Sequence, residues 1–199
     1  MLTISQGAQT RTGTILVLGD SISAAYGMDL NQGWVTLLQD SLNASHPGWT
    51  VVNASISGDT TGGGLQRLPA LLQRHAPEVV IIELGGNDGL RGYPIPTLRE
   101  NLTKMTESAK ARGSRVLLLT MEIPPNFGRR YTTLFRDSYS EVADNTGAAV
   151  APFVLDGIAL SPGSMQPDGI HPTASAQPRL LANVLPYLSP LLDAAGAQQ

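Results

Sequence analysis

The 199-residue sequence contains no cysteine, which excludes disulfides, thiolate zinc sites, iron–sulfur clusters and a cysteine nucleophile. The redox compartment stays undetermined, because a chain without thiols reports on none. Excess positive charge is also missing: 13 Lys and Arg stand against 16 Asp and Glu, a net charge of −3, and such a surface offers no electrostatic footprint for nucleic acid. No apolar run approaches the roughly 20 residues that span a bilayer. Residues 1–13 lack the apolar middle of a secretion signal, so the chain is expected to be soluble. Its expected location is periplasmic or secreted if a leader has been removed, and cytoplasmic otherwise. No phosphate-binding Gly-x-x-x-x-Gly-Lys-Ser/Thr or Gly-x-Gly-x-x-Gly pattern occurs, although residues 58–64 are glycine-rich. No cluster supplies metal-ligand spacing. Neither a metal nor a cofactor is expected.

What remains is an ordinary globular composition, 42% apolar and 15% charged, of a length that suits one domain. Five short apolar runs rich in β-branched residues occupy 14–18, 50–53, 79–84, 115–120 and 148–153. They are nearly continuous rather than alternating, as strands covered on both faces are, so they predict a parallel sheet in a layered α/β domain. Between them the spacing predicts helices over 34–42, 65–74, 96–112, 131–145 and 175–188. The third is the clearest, with Leu98, Leu102, Met105 and Ala109 at helical intervals and Gly113 placed to end it. Pro178 suits the first turn of the last helix, and Pro186 marks its expected end. The domain is expected over 14–192, with 1–13 and 193–199 as frayed termini. The runs share no identity beyond apolar content, which disfavours a repeat array.

In such a sheet, ligands gather at the carboxyl ends of the strands. The segments there carry Gly19-Asp20-Ser21, Ser57-Gly58-Asp59, Gly85-Gly86-Asn87-Asp88 and Asp168-Gly169-Ile170-His171. Of only three histidines, His46 and His75 sit near probable helix ends, whereas His171 follows Asp168 by three positions. That pair on its own reads first as a capped turn. Beside Ser21 it gains a second reading. A hydroxyl becomes a nucleophile when an imidazole takes its proton, and the imidazole needs a carboxylate to fix its tautomer. Ser21, His171 and Asp168 could fill those roles, with the Ser21 and Gly58 backbone N–H groups and the Asn87 amide as an oxyanion hole. Gly58 and Asn87 are also ordinary turn formers. Asp20 and Asp88 are assigned to hydrogen bonding within their own turns; a glycosidase-like carboxylate pair drawn from Asp20, Asp88 and Asp168 stays open, since nothing fixes their separation. Gly-x-Ser-x-Gly is absent, which argues against a nucleophile elbow.

Taken together, Gly19-Asp20-Ser21, Gly58, Gly86-Asn87-Asp88 and Asp168-x-x-His171 resemble, in order and spacing, the four sequence blocks of the GDSL, or SGNH, hydrolases. The resemblance covers 14–192 and is strongest to the multifunctional acyl-CoA thioesterase I/lysophospholipase L1 type of esterase. Ile22 stands where the family's nickname has Leu. The resemblance implies a flavodoxin-like three-layer α/β/α fold on a five-stranded parallel sheet. It implies Ser21 as nucleophile, His171 as base then acid, Asp168 as its orienter, and Ser21, Gly58 and Asn87 as the oxyanion hole. It also implies substrate contacts from a loop containing Gly89, Leu90 and Arg91 and from a wall containing Ile123 and Pro124. The expected partner is a small acyl ester or thioester. Rival readings are an esterase of acetylated carbohydrate, a non-catalytic flavodoxin-like module that binds a nucleotide or flavin, and a degenerate structural homologue.

Overall fold

A computed structural model of the protein describes residues 12–194; the rest of the two segments expected to fray, 1–11 and 195–199, lies outside the described residues. The chain alternates strands and helices: β1 (Gly13–Gly19), α1 (Trp34–Ser45), β2 (Trp49–Asn53), α2 (Thr61–His75), β3 (Val79–Glu83), then α3 (Gly86–Leu90) and α4 (Ile95–Ala111). It continues with β4 (Arg115–Leu119), α5 (Arg129–Thr146), β5 (Ala149–Ala151) and α6 (Gln177–Ala194). The strands form one parallel sheet in the order β2-β1-β3-β4-β5. Helices α1 and α6 pack together on one face, and α2, α4 and α5 form the layer on the other. This is the flavodoxin-like α/β/α architecture that the apolar runs and the motif resemblance predict.

Strands β1 and β3 read as unbroken apolar runs because both faces are covered: Ile15 to Leu18 and Val79 to Ile82 are fully buried. The clearest predicted helix appears as α4, whose Leu98, Leu102, Met105 and Ala109 are buried. Each of these leucines contributes about 1.5–3 kcal/mol by leaving water. The chain then leaves the helix through Gly113 in the left-handed region, at φ +86°.

Three expectations are corrected. The fifth run yields only three residues of strand, because beyond Ala151 the ladder slips by a residue and Thr120 O is reached by Val154 N at 3.1 Å. The last helix does not end at Pro186; it continues through Pro190 to Ala194. An interior proline costs about 3 kcal/mol, and burial of Leu188 and Leu192 beyond Pro186 offsets it. Helix α2 starts four residues early, taking in the triple glycine 62–64. Its start is fastened by the Thr60 hydroxyl, which accepts from Gly63 N at 3.3 Å, and by the Asp88 carboxylate, which accepts from Thr61 N at 2.9 Å.

Gly64 allows α2 to lie against the sheet, since a Cβ there would come within 2.3 Å of Leu84 Cδ1. Gly64→Ala therefore sets a helix-propensity gain of about 1 kcal/mol against overpacking of about 1–3 kcal/mol. Overpacking wins at that distance, and thermal denaturation should show a lowered midpoint.

Candidate active site

The strand order reverses between β1 and β3, and the crevice of an open α/β sheet lies at that switch point. The two strands end level, with Gly19 opposite Glu83. Ser21 follows β1, and Asn87 follows β3 in the short helix α3. The segment carrying His171 is not a loop directly after the fifth strand: it lies within a long irregular stretch between β5 and α6. A bridge between Met165 and Pro172 and a bond from Gln166 N to His171 O at 2.7 Å close that stretch into a hairpin-like turn. Gln166 then braces it against the Ser21 segment, donating to Tyr26 O at 2.8 Å and Pro172 O at 3.1 Å.

The three side chains meet. Ser21 Oγ lies 2.8 Å from His171 Nε2, and His171 Nδ1 lies 2.7 Å from Asp168 Oδ2. The second Asp168 oxygen accepts the backbone N–H groups of Ile170 and His171 at 2.9 and 3.0 Å, a turn that Gly169 permits at φ +68°. The turn reading and the catalytic reading thus hold at once. Hydrogen bonds from the His171 ring and these two amides lower the Asp168 pKa to about 2. The other face of the imidazole is covered by the Tyr26 ring, with centroids 4.4 Å apart. With Asp168 accepting at Nδ1, the free lone pair of neutral His171 sits at Nε2 and can take the Ser21 proton.

Possible donors to an incipient oxyanion differ in how free they are. The backbone N–H groups of Ser21 and Gly58 have no partner among the described residues. Gly58 is at φ +80°, and a Cβ there would meet open space, so its backbone angle, not crowding, calls for glycine. Asn87 Nδ2 is already engaged, donating to Asp20 Oδ2 at 3.0 Å and to Asp59 O at 2.9 Å. Asp20 does bond within its own turn, accepting from Ile22 N at 3.1 Å. Asp88 does not: it clamps Thr61, through both N–H and hydroxyl, across to α2. His46 and His75 end α1 and α2 at the opposite edge of the sheet.

The expected substrate contacts divide. Gly89 is buried, and a Cβ there would meet Ile123 and Phe135 at 2.6 and 2.8 Å, so it serves packing. The Arg91 guanidinium donates to Gly58 O at 3.1 Å, tying down the loop that holds one free N–H. Leu90 is half-buried, Ile123 is buried and Pro124 is exposed. Sequence reasoning missed Tyr26, Gln166 and the carboxyl group of Glu83 beneath the site. Glu83 lies within a run that reads as strand, and only its charge amid apolar neighbours could have flagged it.

Because the Asp168 pKa is depressed from 3.8 to about 2, the anion persists as pH falls and its contribution is lost only as pH approaches 2. Carbon-13 NMR of the Asp168 carboxyl should show it ionised throughout the pH range in which activity is lost to acid.

The comparisons with known proteins agree with this geometry. Residues 17–177 match the GDSL-like Lipase/Acylhydrolase family model. The chain is 54% identical over 184 residues to Esterase TesA of Pseudomonas aeruginosa, covering 92% of each. It is 42% identical over 180 residues to the Thioesterase 1/protease 1/lysophospholipase L1 of Escherichia coli K12, covering 90% of this chain and 85% of the relative. A crystal structure of TesA superposes with a TM-score of 0.88 at 55% identity, over 89% of this chain and 99% of that one. The chain belongs to the GDSL-like lipase/acylhydrolase family.

Proposed function

We propose that the protein is a serine hydrolase of carboxylic esters and thioesters that works through an acyl group carried on Ser21. The observation that carries this reading is the unbroken run Ser21 Oγ, His171 Nε2, His171 Nδ1, Asp168 Oδ2, at 2.8 and 2.7 Å. Ser21 Oγ attacks the acyl carbon while its proton passes to His171 Nε2, and Asp168 stabilises the imidazolium that forms. The carbonyl oxygen becomes negative and takes the free N–H groups of Ser21 and Gly58, with Asn87 sharing one of its amide hydrogens. Collapse breaks the bond to the leaving alkoxide or thiolate, which leaves with the proton from His171. Water, deprotonated by the same imidazole, then attacks the acyl-serine and releases the acid.

Small-molecule esters are the substrates, as the names of the esterase and thioesterase relatives support. Leu90, Ile123 and Pro124 are proposed to line the acyl path. Beyond Pro124, a shallow open depression is lined by Phe127, Tyr131 and Leu134 together with Arg129 and Arg130, and its apolar part is proposed to take the far end of an alkyl chain.

Ser21→Ala, with its fold checked by circular dichroism, should lose at least about 10³-fold in turnover; near-normal turnover would overturn the assignment. In a comparison of p-nitrophenyl acetate, p-nitrophenyl octanoate and an acetylated sugar, the octanoate should give the highest kcat/KM, and a preference for the sugar would move the reading to a carbohydrate acetylesterase.

A further inference from the structure

Directly behind Ser21 lie two buried carboxyl groups that the reaction above does not use. Asp20 is 2% exposed and Glu83 is fully buried. Glu83 Oε2 accepts the Ser23 hydroxyl at 2.7 Å and the Asp20 backbone N–H at 3.3 Å, while Glu83 Oε1 has no partner. Trp34 Nε1 in turn donates to Ser23 Oγ at 3.2 Å. The carboxyl occupies the space a side chain on residue 19 would need: a Cβ on Gly19 would lie 2.8 Å from Glu83 Oε2. The glycine of the Gly19-Asp20-Ser21 motif therefore makes room for Glu83 and for Ser23, whose Cβ would lie 2.7 Å away.

We propose that Asp20 is a positioning residue, whose carboxylate holds the Asn87 amide at the oxyanion site. The inference rests on the hydrolase reading of Ser21. Its basis is a count of donors and acceptors. Two N–H groups point at the Asp20 side chain, one from Ile22 and one from Asn87. A carboxylate has an acceptor oxygen for each, whereas a neutral acid or an amide has one carbonyl oxygen and one donor. Loss of the charge on Asp20 therefore weakens one of the two, and the Asn87 amide, held otherwise only by Asp59 O, is the side chain able to turn.

The surroundings raise the pKa of both carboxyl groups. Glu83 lies deeper, beside a like charge and with only one oxygen bonded, and burial raises its pKa well above the ordinary value. Asp20 is raised to about 6, chiefly by burial, with the bonds from Ile22 and Asn87 and the nearby His171 pulling the other way. The other charged or titratable groups facing the pair are Asp59, itself paired with Arg67 at 2.5 Å, and the buried Tyr139, which also senses Asp88. Above pH 6 Asp20 is the anion. As pH falls through 6 it takes a proton, and Asn87 keeps only its bond to Asp59 O. The acid limb of kcat/KM thus contains a protonation of Asp20 near pH 6.

The test is a double-mutant cycle on an ester substrate, with fold checked by circular dichroism. Asp20→Asn should lower kcat about 10–100-fold with KM changed by less than about threefold, and should remove the component of the acid limb near pH 6. Asn87→Ala should lower kcat by about 10²–10³. The double variant should be no worse than Asn87→Ala, because Asp20 acts through Asn87. Multiplying losses, or an acid limb unchanged in Asp20→Asn, would overturn the inference. Retained labelling of Ser21 by a fluorophosphonate in that case would leave the hydrolase reading standing. If Asp20→Asn does not fold, the Asn87 side-chain amide in the unaltered protein is followed by nitrogen-15 NMR: its resonances should move as pH crosses 6, and a flat titration would overturn the proposal.

Discussion

The bond between Ser21 Oγ and His171 Nε2 joins residues 150 positions apart, and the chemistry of the site depends on it. Neither partner sits on a regular element. Ser21 lies in the turn beyond β1, and His171 lies in the irregular stretch before α6. Their separation is held by cross-links of modest individual strength: the Gln166 amide to Tyr26 O and Pro172 O, the Tyr26 ring on the imidazole, and Gln177 of α6, which accepts from Trp34 N at the start of α1. A typical intramolecular hydrogen bond contributes about 0.5–1.5 kcal/mol. No one of them fixes the distance alone. Together they reduce the entropy that Ser21 and His171 would lose on meeting, which is how a fold supplies proximity to a reaction.

The turn that presents Ser21 is costly in itself. Ala25 is held at φ +57°, in the left-handed region that a residue with a Cβ enters at about 1–2 kcal/mol. Backbone bonds from Ala24 N to Asp20 O and from Tyr26 N to Ser21 O keep the turn closed around the serine. Below it, two carboxyl groups are buried at a place where apolar side chains would pack at lower cost. Buried carboxyl groups concentrate where the sheet order reverses, whereas at the far ends of the strands Ala76, at φ +40°, closes α2 and Ser114 bonds Pro77 O. Such a distribution is expected of a functional rim mounted on a stable frame.

Much of this was legible in the sequence. Strands buried on both faces announce themselves as continuous β-branched runs, so β1, β3 and β4 fall within a residue or two of their predicted bounds. The helix α4 follows its periodicity for the same reason. Prolines misled at Pro186, because tertiary burial of Leu188 and Leu192 outweighs a local penalty that sequence reasoning can see. The meeting of Ser21, Asp168 and His171 could be foreseen from motif order. The brace by Gln166, the stacking of Tyr26 and the clamp of Asp88 on Thr61 could not, because each joins segments whose relative placement exists only once the sheet has formed. Glu83 was hidden by its own strand: a single acidic residue at the end of an apolar run gives no sign of whether it faces water or the core.

The claim at the centre of this account is that the acyl group of the substrate resides for part of each cycle on one hydroxyl. Rapid-quench kinetics on an activated p-nitrophenyl ester, with the quenched protein digested and weighed by mass spectrometry, tests that directly. A burst of p-nitrophenol close to one per enzyme molecule is expected, with an acyl mass increment on the peptide at Ser21. An increment on a different residue, or a product burst with no increment at Ser21, would contradict it.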